Sequence, residues 1–118
     1  MITTLAVLFE WDDEDNPDTI TARNNRAKKY LTAGRPAKAI PLYKRTLGYC
    51  ERVLGADDLN TLTARNNLAM SYLAAGRPAE AIPLLERTLA DCRRVLRADH
   101  PTTVTTRSNL AMSYRAAG

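Results

Sequence analysis

The stretch TLTARNNLAMSYLAAGRPAEAIPLLERTL, Thr61 to Leu89, occurs nearly whole one period earlier, as TITARNNRAKKYLTAGRPAKAIPLYKRTL from Thr19 to Leu47. It begins a third time at Thr103, as TVTTRSNLAMSYRAAG. Both offsets are 42 residues. A fixed period between about 20 and 50 residues is the signature of a solenoid, in which each unit buries its apolar face against its neighbours. No other feature of the chain restricts its fold so strongly.

Within one period the pattern is helix, turn, helix. From Thr61 to Ala75 the apolar residues Leu62, Leu68, Ala69, Tyr72 and Leu73 fall largely at three- and four-residue spacing, as one helix face requires. Gly76 supplies a residue that tolerates positive φ at a helix C-terminus, and Pro78 suits the first turn of a following helix. In that second helix Ala81, Ile82, Leu85, Leu89, Cys92, Val95 and Leu96 recur at helical spacing. Pro83 lies close enough to its start to tilt the helix rather than break it. Asp99-His100-Pro101-Thr102 places an acid and a proline at the next helix start. The expected helices are 18–33 and 36–54, 60–75 and 78–97, and 102–117. The corresponding units are 16–58, 59–100 and an incomplete third at 101–118.

Shifted by two periods, Thr4-Leu5-Ala6 falls on Thr88-Leu89-Ala90 and Asn16-Pro17 on His100-Pro101. Residues 2–12 then read as the worn second helix of a preceding unit, with residues 1–15 as a degenerate helix or cap. The competing reading is a frayed tail.

Only 6% of residues are aromatic, so the core must be built from Leu, Ala, Ile and Val with a few Tyr. The chain is long enough for one domain. No apolar run approaches the roughly 18 residues that span a membrane. The apolar opening segment lacks a basic region and a small-residue cleavage site, which makes the cytoplasm the expected compartment. Residues 1–18 carry six acids and no Lys or Arg, whereas the rest carries all 17 bases against seven acids. Such an asymmetry steers acidic partners or folds the acidic segment onto the body. Cys50 and Cys92 lie one period apart, a helix-packing distance that is too long for a disulfide. They read as two copies of one packing position.

Asn-Leu-Ala-x-x-Tyr at Asn67 to Tyr72, followed by Gly76, Glu80-Ala81-Ile82 and Leu89, resembles the tetratricopeptide repeat. Leu68, Ala69, Tyr72, Gly76 and Ala81 take the positions that this family fills with Leu, a small residue, Tyr, Gly and Ala. The usual period is 34 residues, and the extra length here falls in the second helix and its loop. That longer form is similar to the repeats of kinesin light chain and of the arrays in bacterial signalling ATPases of the NB-ARC type. The resemblance spans residues 16–118. It departs in the first unit, where Arg26 and Lys28 replace Leu68 and Met70. It departs also where Arg23, Arg65 and Arg107 stand in place of an early Trp. It implies an all-α, right-handed α-α superhelix of helix-turn-helix repeats, a bacterial signalling context, and a non-catalytic scaffold that binds a peptide or partner segment in its concave groove.

Carried over position by position, the groove residues are Asn24, Asn25 and Lys28, then Asn66, Asn67 and Met70, then Ser108, Asn109 and Met112. An Asn amide both donates and accepts, so it can satisfy a bound peptide backbone whatever the peptide's side chains. The same residues could instead tie one helix to the next. The arginine row reads either as solvated or inter-repeat ion pairs with Asp or Glu of the neighbouring loop or as a selector of acidic ligands.

No phosphate loop, metal set or nucleophile with a base is present, and Ser71 and Ser113 lie inside helices without a His partner. The expectation is no catalysis, no cofactor and no metal. A nucleic-acid-binding helical repeat is the alternative that the basic body allows, but the bases are scattered and the Tyr residues fall at core positions. The third possibility is self-association, as a homodimer or head to tail. Leu5, Leu8 and Trp11 at one end would meet Leu110 and Tyr114 at the other.

Overall fold

The computed structural model describes residues 16–118, and within them it forms five helices and no strand. Helix α1 is Pro17–Thr32, α2 is Pro36–Tyr49, α3 is Leu59–Ala74, α4 is Pro78–Val95 and α5 is Pro101–Ala117. Each lies within a residue or two of its expected range, with one exception. The last turn expected of α2 is a π-helical turn at Cys50–Leu54. Each helix packs on the next, and α3 also packs on α5. The first helices of the units, α1, α3 and α5, thus share one layer, and α2 and α4 form the other. Residues 2–12, with Leu5, Leu8 and Trp11, lie outside the described residues.

The repeated turns are built identically. Gly34 and Gly76 both have φ of +74°, a conformation that favours glycine. The N–H of Arg35 then donates to Tyr30 O, and that of Arg77 to Tyr72 O. Each of these arginines also lies over the ring of the same tyrosine, at 5.9 Å in the first unit and 4.9 Å in the second. Pro36 and Pro78 open the following helices, and both helices run through Pro41 and Pro83 without a break.

The caps differ from unit to unit. Asn16 and Thr19 form a reciprocal capping box. Asp58 accepts from the N–H of Asn60, and His100 Nδ1 accepts from the N–H of Thr102. Asp99, the acid expected to serve that helix start, instead pairs with Arg97 in solvent. The loop between units is pinned by a threonine that recurs with the period. Thr61 Oγ1 donates to Gly55 O at 2.7 Å, and Thr103 Oγ1 donates to Arg97 O at 3.0 Å. Position 55 also explains the π turn. Gly55 takes φ of +92° and its N–H closes on Cys50 O. Arg97 cannot do so cheaply, and α4 ends on an extended Leu96.

Ala27 and Ala39 of one unit and Ala69 and Ala81 of the next are fully buried in one core. Small residues at these places let paired helices approach closely. Leu68, Leu85, Leu89, Tyr43 and Tyr72 belong to the same core. The apolar stripe of α4 fails at its end, because Val95 stands 40% exposed, as does Val53 at 57% one period earlier. Cys50 and Cys92 are buried and not joined by a disulfide, in keeping with packing positions. No helix among the described residues is long and apolar enough to cross a membrane.

Candidate interaction groove

Two recesses open on the layer formed by α1, α3 and α5. One, of about 370 Å³, lies between α1 and α3 and includes Ile20, Asn24, Thr63 and Asn67. The other, of about 340 Å³, lies between α3 and α5 and includes Thr63, Asn66, Asn67, Met70 and Asn109. Thr63 and Asn67 belong to both, so the two recesses adjoin along this ridge of α3, and together they are called the trough. A third hollow, at the end of α1, is lined by Asn25, Lys28 and Lys29.

Most of the expected groove residues therefore line a surface hollow, but they do not do the same work. Asn25 and Lys28 are exposed, and Asn67 and Met70 are half-buried. Ser108 and Met112 are exposed on α5, outside the three hollows. Asn66 and Asn109 are buried braces. Asn66 Nδ2 donates to Thr106 Oγ1 at 2.7 Å, and Asn109 Nδ2 donates to Asn66 Oδ1 at 3.4 Å. The reason is helical phase. Residue 66 lies about 100° around α3 from residue 67, which turns it toward α5. Ser71 and Ser113 donate back to the carbonyls of Asn67 and Asn109, as hydroxyls inside helices commonly do.

The arginine row also divides. Arg65 is fully buried. Its Nη1 donates to Asp91 at 2.6 Å, and its Nη2 donates to Ala56 O at 3.2 Å. It clamps α3 to α4 and to the loop after α2, which is the ion-pair role. Arg23 is buried and Arg107 is exposed. The acid was expected from a neighbouring loop, but Asp91 lies on α4. One period earlier its place is held by Tyr49, so no periodic signal could reveal it. Arg94 extends the cluster, donating to both Asp57 and Asp91.

This cluster makes stability depend on pH. Burial acts to raise the Asp91 pKa, but hydrogen bonds from Arg65 and Arg94 outweigh it and hold the carboxyl below its ordinary value of 3.8. The hydrogen bond from Arg94 likewise lowers Asp57. A carboxyl depressed in the folded chain binds fewer protons than in the unfolded chain. Its contribution is complete above about pH 5 and is lost as the pH falls through the depressed folded value. Urea midpoints should therefore be level from pH 7 to 5 and fall below pH 4, and Asp91→Asn should flatten that fall.

Fold and trough together define a helical-repeat scaffold. The tetratricopeptide repeat profile matches residues 18–93 and again 60–118, and the chain belongs to that family. Tetratricopeptide repeats generally mediate protein–protein interaction, and the family is one of non-catalytic scaffolds. Among solved structures, the chain is similar to the nearly identical TPR-like repeats of a Podosopora anserina protein described as a kinesin light chain, and to a single-substitution variant of it. Each matches with a TM-score of 0.80 at 27% identity, over 89% of this chain and 50% of the other. The chain thus spans half the length of these structures. No curated protein matches its sequence.

Proposed function

We propose that the α1–α3–α5 layer binds a segment of a protein partner along the trough. The observation that carries this reading is the sharing of Thr63 and Asn67 by two adjoining recesses. A trough that runs across a helix joint suits an elongated ligand. Asn67, half-buried at the junction, offers a donor and an acceptor to a peptide backbone. Asn25 and Lys28 extend the surface at one end, with Met70, Ser108 and Met112 toward the other. Met is adaptable, which suits a surface that must fit apolar side chains of varied shape.

The test is a peptide selected from a random library on the intact chain, with affinity then measured by fluorescence polarisation. Asn67→Ala is expected to weaken binding by about 1 kcal/mol, roughly fivefold in Kd, with little change in melting temperature. Asn66→Ala is expected to do the reverse, costing about 1–2 kcal/mol of stability because Asn109 and Thr106 lose their partner. Equal affinity in Asn67→Ala and the parent would remove the trough from consideration.

A second reading, self-association, draws on α5. Tyr114 is 48% exposed, whereas Tyr72 at the same position of α3 is 7% exposed. Val104 and Met112 stand exposed on the same helix, while Leu110 is buried. A second copy seated on α5 would cover these side chains. Light scattering across a hundredfold range of concentration tests this, and a constant mass of 13.1 kDa would end it.

A further inference from the structure

The two joints between units are not equivalent. At the α3–α5 joint, Asn66, Thr106 and Asn109 bond one another, and Thr106 Oγ1 lies 3.8 Å from Cys92 Sγ. One period earlier, at the α1–α3 joint, the same four positions hold Asn24, Ala64, Asn67 and Cys50. Ala64 has no hydroxyl to offer. Asn24 Oδ1 is buried there without a hydrogen-bond partner. So is the hydroxyl of Thr46, itself 2% exposed, although its counterpart Thr88 donates to Leu84 O at 2.7 Å. Both orphaned groups line the recess of about 370 Å³. Both joints carry a recess, but among the described residues only the one at the α1–α3 joint is lined by buried polar side-chain atoms without partners. Buried polar groups without partners are costly enough to require an explanation.

We propose that this recess is the anchor subsite of the trough and takes a carboxamide side chain of the partner, a glutamine or an asparagine. The choice follows from the lining. Asn24 Oδ1 accepts only, and the Thr46 hydroxyl donates or accepts. A carboxamide has both functions, so its N–H₂ can donate to Asn24 while its oxygen accepts from Thr46. It can also pair with Asn24 if that amide is turned over. Among the described residues no Asp, Glu, Lys, Arg or His lines the recess, so a charged head group would find no counter-ion among them. Ile20 and Leu54 supply apolar wall for the methylene stem. This deepens the trough reading and rests on it for the partner, but the subsite itself can be probed alone.

The probe is propionamide, the side-chain analogue of glutamine, titrated into the ¹⁵N-labelled full chain and followed by amide chemical shifts. Propionate and n-butylammonium serve as charged comparators. Saturable shifts at Asn24, Thr46 and Ala64 are expected with propionamide and not with the other two. Ala64→Thr restores the hydroxyl that fills the other joint and should abolish these shifts. Thr46→Val deletes an unpartnered hydroxyl at nearly constant shape, so the chain should stay folded while propionamide binds at least fivefold more weakly. Equal responses to all three probes, no response to propionamide, or undiminished binding in Thr46→Val would each overturn the proposal. A selected peptide that maps to the trough yet binds Ala64→Thr and Thr46→Val as well as the parent would refute the subsite and leave the trough intact. Peptides that map elsewhere while propionamide still binds would do the opposite.

Discussion

A carboxylate at position 81 is expected to abolish the cooperative unfolding transition. Ala81 is fully buried on α4, in one core with Ala69, Leu68 and Leu85. Glu at this place must displace packed neighbours, which alone costs about 1–3 kcal/mol. It must also bury a charge that has no partner, at several kcal/mol more. Small domains hold only about 5–15 kcal/mol in total. In a solenoid each unit is stabilised chiefly by its neighbours, so loss of the α3–α4 pair removes the support of α2 and α5 together. Circular dichroism should show a chain with little helix and no sigmoidal melt. Ala79→Glu is the control: Ala79 is exposed two residues away, and the change should stay within about 0.5 kcal/mol. A stable, cooperatively melting Ala81→Glu chain would show that α3 and α4 are paired in another register.

Asp91→Ala is expected to cost about 3–5 kcal/mol, because it leaves the guanidinium of Arg65 buried without its counter-ion. Arg65 side-chain exposure is 0%, and its next carboxylate, Glu51, is 3.9 Å away. Removing the other partner should cost much less. In Arg65→Met the charge leaves with the side chain, Met fills most of the volume, and Asp91 keeps Arg94 and some access to water. Denaturant midpoints for the two variants should therefore differ by several kcal/mol in the order stated. Equal losses would mean that the packing of Arg65, rather than its charge, ties α3 to α4.

The helices were legible because period and punctuation agree. Gly34 and Gly76, Pro36 and Pro78, and Pro101 each mark a boundary that the backbone itself requires. The alanine pairs were legible for the same reason, since a helix crossing repeats with the chain. What does not repeat was hidden. Asp91 has Tyr49 as its counterpart, so the partner of Arg65 left no periodic trace. The open joint at Asn24 depends on one absence, Ala64 where the next unit has Thr106. Asn66 and Asn67 are adjacent and chemically identical in sequence, yet helical phase sends one into a joint and leaves the other half-buried in the trough. Spacing identifies a shared face, but a position at the edge of that face is decided by which neighbour packs beside it.

The most direct test of the trough is the amide shift map of the labelled chain with a library-selected peptide bound. Perturbations are expected at Asn24, Asn25, Lys28, Asn67, Met70 and Met112, running across α1, α3 and α5. Perturbations confined to α2 and α4, or loss of none of the binding on Asn67→Ala, would contradict it.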